Sequence, residues 1–322
     1  MKKTILFAAA VAASLFAGAA TRVDALRAKL ASRDRDYVFV AMHRGDWRNF
    51  PENSKGAILS CIALGADIVE LDVRRTKEGR FVLMHDNKID RTTTGKGLVS
   101  ELTVPELKKF KMKMDGKPTK YDILTLEEAL ELTRGKILFN VDKFTEHPHE
   151  ILDALAAAGA LKEVIVKSLH SPEKAKELFG DYWPRVESGE ILYMPVIQFC
   201  WGKHEKARKD LPLWIATEPR TTSMYEMCFD NAKDTETLKK ILAAPGRPRI
   251  WINTMWDSLA AGNGEYRSAK NGQSMPAGML APDKTWGWAI DAGATMIQTD
   301  CGAELLLWLE RKGLHKLGGR QQ

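Results

Sequence analysis

The runs Asp67-Ile68-Val69-Glu70-Leu71-Asp72-Val73 and Phe81-Val82-Leu83-Met84-His85 are apolar and β-branched, and only Arg74 to Arg80 separates them. Each reads as a strand. A parallel neighbour needs a crossover of about a dozen residues, so the second run must return antiparallel to the first. Glu78-Gly79 suits the tip of a two-residue loop. That register pairs Lys77 with Arg80 and Thr76 with Phe81, and further down the ladder it sets His85 opposite Asp72. Side chains alternate along a strand, so Glu70 and Asp72 share one face and are expected to converge with His85 on one small volume.

Similar runs recur on both sides of this hairpin: Val38 to Met42, Lys136 to Val141, Val164 to Lys167, Ile191 to Ile197, Ser223 to Phe229, Arg249 to Thr254 and Thr295 to Gln298. Helical patterns lie between them at Ser54 to Leu64, Leu126 to Thr133, His149 to Ala158, Pro172 to Leu178, Thr235 to Ala243 and Thr285 to Ala292. With Phe81 to His85 set aside as the hairpin arm, eight of the nine strands alternate with helices. No Pro/Gly-rich linker interrupts the order, which predicts a mostly parallel sheet in one domain. The expected fold is α/β, a TIM (β/α)8 barrel over residues 36–316 with an extra antiparallel hairpin arm. A small, lysine-rich insertion spans 86–122 and is either a functional segment over the barrel mouth or a solvated face.

A chain of 322 residues with 44% hydrophobic and 28% charged residues excludes disorder, a collagenous repeat and a disulfide-stapled miniprotein. The 48 Lys and Arg exceed the 42 Asp and Glu, but they are scattered among acids without a basic block, so no nucleic-acid partner is expected. Lys2 and Lys3 precede an apolar run from Ile5 to Phe16 and the small residues Ala17 to Ala20. That order is expected of a signal peptide at residues 1–20, with cleavage between 19 and 25 and a periplasmic or secreted product. The run is too short to persist as a membrane span, although an uncleaved anchor is the alternative. Cys61, Cys200, Cys228 and Cys301 are far apart in apolar stretches and read as buried free thiols, with no metal-type spacing.

The polar residues at the carboxyl ends of the strands are the candidates for chemistry, because barrel active sites lie at that end. They are His43-Arg44-Gly45, Glu70-Leu71-Asp72 and Asn140-Val141-Asp142-Lys143. Glu70, Asp72 and Asp142 offer hard oxygen ligands that suit Mg²⁺ or Ca²⁺. The same carboxylates could instead be compensated by Arg44, Arg74 or Lys143 in a salt network. His43 and His85, flanking the acids, suit an acid/base pair, whereas a lone histidine at a strand end is more often structural. Arg44 can grip phosphate oxygens bidentately, while Lys143 or Lys167 acts as a point charge. Together these groups suit phosphoryl transfer at a metal, and no serine elbow, P-loop or dinucleotide fingerprint competes.

His43-Arg44-Gly45, Pro51-Glu52-Asn53-Ser54, Glu70-Leu71-Asp72-Val73, His85-Asp86 and Arg91-Thr92-Thr93 with Gly95 and Gly97 occur in the order of the motifs of the glycerophosphodiester phosphodiesterases. The chain resembles that family most closely from Val38 to Leu107, and more weakly through Asn140 to Asp142, Trp251 to Thr254 and Thr299-Asp300. The resemblance implies a TIM barrel and one divalent cation, Ca²⁺ or Mg²⁺ with Mn²⁺ also possible. Its ligands would be Glu70, Asp72, Asp142 and Glu52, unless Glu52 instead orients Arg44. It also implies His43 and His85 as general acid and base, and Arg44 on the phosphate.

Two departures bear on the site. Asp142-Lys143 carries a shorter acid than the family and a lysine displaced by one position, and Lys167 stands where a neutral polar residue is usual. Lys167 is therefore expected to supply part of the phosphate charge, the alternative being a structural pair with Asp142. Thr299-Asp300-Cys301-Gly302 lacks a proline common in the family, which affects only local loop shape. Trp201, Trp256 and Trp286 lie in or near loops that follow strands; Trp256 and Glu226 are the candidate pocket residues, with packing the alternative for each. The function implied is hydrolysis of a small-molecule glycerophosphodiester to glycerol 3-phosphate and an alcohol, with no protein partner inferred. One rival is a lyase-type phosphodiesterase that leaves a cyclic phosphate from an inositol-bearing or intact phospholipid. The other is a phosphodiester-binding protein without turnover.

Overall fold

A computed structural model describes residues 20–32, 34–217, 224–244, 246, 248–265 and 277–316. The expected signal segment, apart from Ala20, lies outside the described residues, as does Ser223. The strands are β1 (Phe39–His43), β2 (Ile68–Arg75), β3 (Phe81–Leu83), β4 (Lys111–Met114), β5 (Lys117–Asp122), β6 (Leu138–Asp142), β7 (Val164–Ser168), β8 (Leu192–Phe199), β9 (Met224–Phe229), β10 (Arg249–Asn253) and β11 (Met296–Thr299). Eight of them pair in parallel in the order β1-β2-β6-β7-β8-β9-β10-β11, and β11 returns to β1 to close a barrel. β3 adds antiparallel to the outer part of β2. This is the (β/α)8 architecture with a hairpin arm.

Strand alternation divides the apolar residues into two cores. Val40, Met42, Val69, Leu71, Phe139 and Val141 pack outward among the helices. Phe39, Ala41, Ile68, Leu138, Ile165, Met194, Met224, Trp251 and Met296 pack with Val23, Leu26 and Leu30 of the helix Arg22–Ser32. That helix plugs the amino end of the barrel. Buried Arg249 donates to its backbone through Leu30 O at 3.2 Å, and Arg22 donates to Ala66 O at 2.7 Å and Lys136 O at 2.9 Å. The sequence reading missed this helix, whose charged residues break the apolar stripe. With the amino end sealed, the polar inward positions collect at the carboxyl end.

The hairpin differs from the expected register by one residue. Arg75 pairs with Phe81 and Val73 with Leu83, and Met84 N donates to Asp72 O at 3.0 Å, so Met84 rather than His85 lies opposite Asp72. The turn is the cause. Thr76 N donates to Arg80 O at 2.7 Å and Gly79 N to Thr76 O at 3.0 Å, with Gly79 at φ 82°. The loop therefore holds three residues, Lys77 to Gly79, with glycine in the left-handed position. The insertion 86–122 carries a second hairpin, β4-β5, that periodicity did not reveal because its strands are mostly lysine and polar residues. Ile89, Val99, Leu107 and Met112 of the insertion pack with Val82, Met84 and Ile123 in a satellite core.

All four cysteines are buried and free of disulfides. No helix among the described residues is long and apolar enough to cross a membrane.

The turn leaving β1 demands glycine. Gly45 has φ 76°, and a Cβ there would sit 2.8 Å from Ala57 Cβ and 3.1 Å from the Ala57 backbone carbon. Gly45→Ala is expected to lower unfolding free energy by about 2–4 kcal/mol through strain and overpacking. Urea denaturation measures this, and an unchanged midpoint would show that the turn relaxes freely.

Candidate active site

Parallel register sets the acids side by side. His43 aligns with Glu70 across β1 and β2, and Asp72 aligns with Asp142 across β2 and β6. Asn53 then locks Asp72 from the loop before the helix Lys55–Leu64. Its Nδ2 donates to Asp72 Oδ2 at 3.0 Å, and its Oδ1 accepts from Asp72 N at 3.0 Å. Arg44 N donates to Glu70 Oε2 at 2.9 Å, which ties the turn after β1 to the same cluster.

Glu70, Asp72 and Asp142 bring carboxylate oxygens within 4.8 Å of one another. Burial and the charge of Asp72 push Glu70 up to about 8. Burial also opposes ionisation of Asp142, but Lys167 and Lys143 outweigh it and hold that carboxyl well below the usual range. Asp72 Oδ1 is buried without a hydrogen-bond partner, and Lys143 Nζ is 3.5 Å away. An orphaned buried oxygen beside a carboxyl whose ionisation is suppressed marks a shortage of positive charge. Three hard oxygen donors at this spacing fit a divalent cation.

Glu52 lies elsewhere. It receives Arg91 through two contacts at 2.7 and 2.8 Å and Arg44 NH1 at 3.3 Å, outside the three-acid cluster. Of the two roles expected for Glu52, the structure shows its contact with Arg44, and Glu52 is not among the three acids whose oxygens converge. Arg44 Nε also lies 3.6 Å from Asp72 Oδ2.

The displaced lysine reaches the site through backbone conformation. Lys143 adopts φ 62°, so the rule that adjacent strand residues face opposite ways ends at Asp142, and Lys143 Nζ meets Asp72. Lys167 Nζ lies 3.2 Å from Glu226 Oε2 and 4.0 Å from Asp142 Oδ1. Burial would lower its pKa, but Glu226, Asp142 and Glu70 outweigh burial and keep the ammonium charged. Lys167 thus pairs with Asp142 and Glu226 while also facing the cavity.

One cavity of about 250 Å³ collects His43, Arg44, Glu70, His85, Asp142, Lys143, Lys167, Glu226 and Trp256. His43 Nδ1 is 2.8 Å from Asp300 Oδ1, and His85 Nδ1 is 2.7 Å from Asp86 Oδ1. Arg91 Nε donates to Asp86 Oδ2 at 2.7 Å, and Arg74 donates twice to the His85 carbonyl, fixing the loop that carries this histidine. His85 therefore reaches the cavity from the turn beyond β3, despite the shifted register. Trp256, 41% exposed, sets its ring edge-on to His43 with centroids 5.8 Å apart. Trp201 also lines the cavity, whereas Trp286 is a buried packing residue.

Asn53, Gln198, Asn253 and Cys228 were missed by sequence reasoning as parts of this site. The last three continue the inward parity of Met194, Trp251 and Met224 to the mouth. Once the apolar inward positions are known, that parity identifies them.

Mg²⁺ or Ca²⁺ added after chelation is expected to raise the melting temperature, and Asp72→Ala is expected to abolish the rise. Thermal unfolding with and without chelator measures it, and an equal rise in the variant would place the ion elsewhere.

Residues 43–180 match the family model described as the glycerophosphoryl diester phosphodiesterase family, and residues 193–309 match a model described as a domain of unknown function. A glycerophosphodiester phosphodiesterase of Caldanaerobacter subterraneus is 38% identical over 135 residues, covering 41% of this chain and 52% of that protein. One from Bacillus altitudinis is 34% identical over 169 residues, covering 48% of this chain and 66% of that protein. The chain thus spans about half to two thirds of the length of these curated relatives. Among solved structures, a glycerophosphoryl diester phosphodiesterase from Parabacteroides distasonis superposes with a TM-score of 0.66 at 21% identity, covering 90% of this chain and 92% of that one. An Oleispira antarctica phosphodiesterase, solved in complex with the product sn-glycerol-3-phosphate, superposes with a TM-score of 0.57 at 18% identity, covering 84% and 96%. At these identities the superpositions establish the shared fold.

Proposed function

We propose, from the premise that residues 43–180 form a domain of the glycerophosphoryl diester phosphodiesterase family, that this chain hydrolyses glycerophosphodiesters to glycerol 3-phosphate and an alcohol. The observation that carries the reading is the convergence of two carboxylate-backed histidines, Arg44, and Glu70 and Asp142 of the three-acid cluster on one cavity. Glu70, Asp72 and Asp142 would hold a Ca²⁺ or Mg²⁺ ion, which when bound neutralises charge developing on the phosphoryl oxygens. Arg44, steadied by Glu52, grips the phosphate, and Lys167 and Lys143 supply point charges at its edge. His43 and His85 both line the cavity that holds Glu70 and Asp142, and one would take the proton of the attacking hydroxyl while the other returns one to the leaving oxygen. Trp256 and Glu226 line the same cavity, and on this reading they would face the rest of the substrate. The leader-like sequence at residues 1–20 supports an exported enzyme.

Purified protein given a panel of glycerophosphodiesters, with Mg²⁺, Ca²⁺ or Mn²⁺ restored after chelation, is expected to release glycerol 3-phosphate. Phosphorus NMR separates the products, and a terminal cyclic phosphate would instead identify a lyase. His85→Ala is expected to reduce kcat by about 100-fold or more while leaving the circular dichroism spectrum unchanged. Lys167→Ala is expected to raise KM or depress kcat more than Lys143→Ala does; the reverse order in steady-state kinetics would reassign the phosphate charge to Lys143.

A further inference from the structure

We infer that Asp300 is the positioning residue for His43, holding the imidazole with its proton on Nδ1 and presenting Nε2 to the cavity. The inference rests on the phosphodiesterase reading for the use of His43, but its geometry stands independently. His43 Nδ1 lies 2.8 Å from Asp300 Oδ1, and the Asp300 side chain is 3% exposed. An ionised carboxylate only accepts, so Nδ1 is the donor and the nitrogen left free is Nε2. Nδ1 is occupied by a residue beneath the mouth, so the free nitrogen is the one available to substrate.

Asp300 is itself held on two sides. Trp47 Nε1 donates to the same Oδ1 at 2.7 Å, and Asp300 N donates to Glu265 Oε2 at 3.1 Å. Glu265 is fully buried and immobilised by Trp286 Nε1 at 2.8 Å, Thr254 Oγ1 at 2.7 Å and the Thr299 hydroxyl, all donating to Oε1. The support for His43 thus runs two layers into the barrel wall. The two histidines are supported differently. Asp86 shares its charge between His85 and Arg91, whereas no arginine or lysine among the described residues is ion-paired with Asp300. Locking the tautomer this way restricts His43 to proton exchange at one nitrogen in a fixed direction.

The test combines a spectroscopic and a kinetic readout on the full-length protein. Nitrogen-15 NMR of histidine-labelled protein, recorded at a pH where the imidazole is neutral and with His43 assigned through His43→Ala, is expected to show the Nδ1-protonated form. Asp300→Ala is expected to move His43 toward the other tautomer and to lower kcat by about 100-fold, with KM changed by less than about threefold. Asp300→Asn offers Nδ1 a donor as well as an acceptor, so it is expected to keep the fold, loosen the tautomer and lower kcat, and wild-type kcat with an unchanged tautomer in this variant would count against the proposal. It also carries the test if the alanine variant fails to fold. An Nε2-protonated His43 in the wild type, or wild-type kcat in a folded Asp300→Ala, overturns the proposal. If the wild type is inactive on the whole glycerophosphodiester panel, the functional reading falls, and the NMR result still decides the role of Asp300.

Discussion

The site depends on the mutual repulsion of carboxylates held in a buried wall. Glu70, Asp72 and Asp142 sit on adjacent strands whose register leaves them no freedom to separate. Burial raises the cost of charging all three, and the two nearby lysines compensate them unequally. Lys143 and Lys167 keep Asp142 ionised, while Glu70 is pushed toward its neutral form. The arrangement leaves three hard oxygen donors close together and short of compensating charge, a donor set that would suit a divalent cation.

The barrel explains why such a cluster can exist in one place only. Its amino end is filled by Phe39, Ile68, Leu138, Met224 and Trp251 and sealed by the helix Arg22–Ser32, and the charged groups buried there, such as Arg249 and Asp67, are bound by that helix or by neighbouring side chains. The same inward face turns polar two residues further along most strands, at Glu70, Asn140, Lys167, Glu226 and Asn253. Several of these polar groups are paired from a neighbouring strand or loop: Asn253 on Glu226 at 2.8 Å, Lys167 on Glu226, Asn53 on Asp72. The outer layer of loops completes this pairing. Glu52 bridges Arg44 and Arg91, and Arg91 in turn holds Asp86 behind His85, so Arg44 and one histidine belong to a single ionic chain.

Much of this was legible in the residues. Alternation of β-branched runs with helical patterns identified eight parallel strands, and the short span from Val73 to Phe81 identified the antiparallel arm. The hairpin register was misread because Glu78-Gly79 satisfies a two-residue turn as well as it satisfies the end of a three-residue one. Only the backbone hydrogen bond from Thr76 N to Arg80 O selects the latter. Lys143 illustrates a similar limit. Side-chain alternation predicts that it faces away from Asp142, and a left-handed residue at the strand end cancels that rule.

The sequence by itself determined the class of fold, the inventory of acids, histidines and cations at the strand ends, and the short-range motifs that place them, because these follow from periodicity and from residue chemistry within a few positions. The tertiary structure decided which of those groups touch. It paired His43 with Asp300, 257 positions away, turned Glu52 toward arginines, and drew Glu226 and Lys167 into the same cavity. The first of these contacts arises from closing the sheet, which brings the last strand beside the first. Strand order and register across that closure are properties of packing, and local sequence does not encode them.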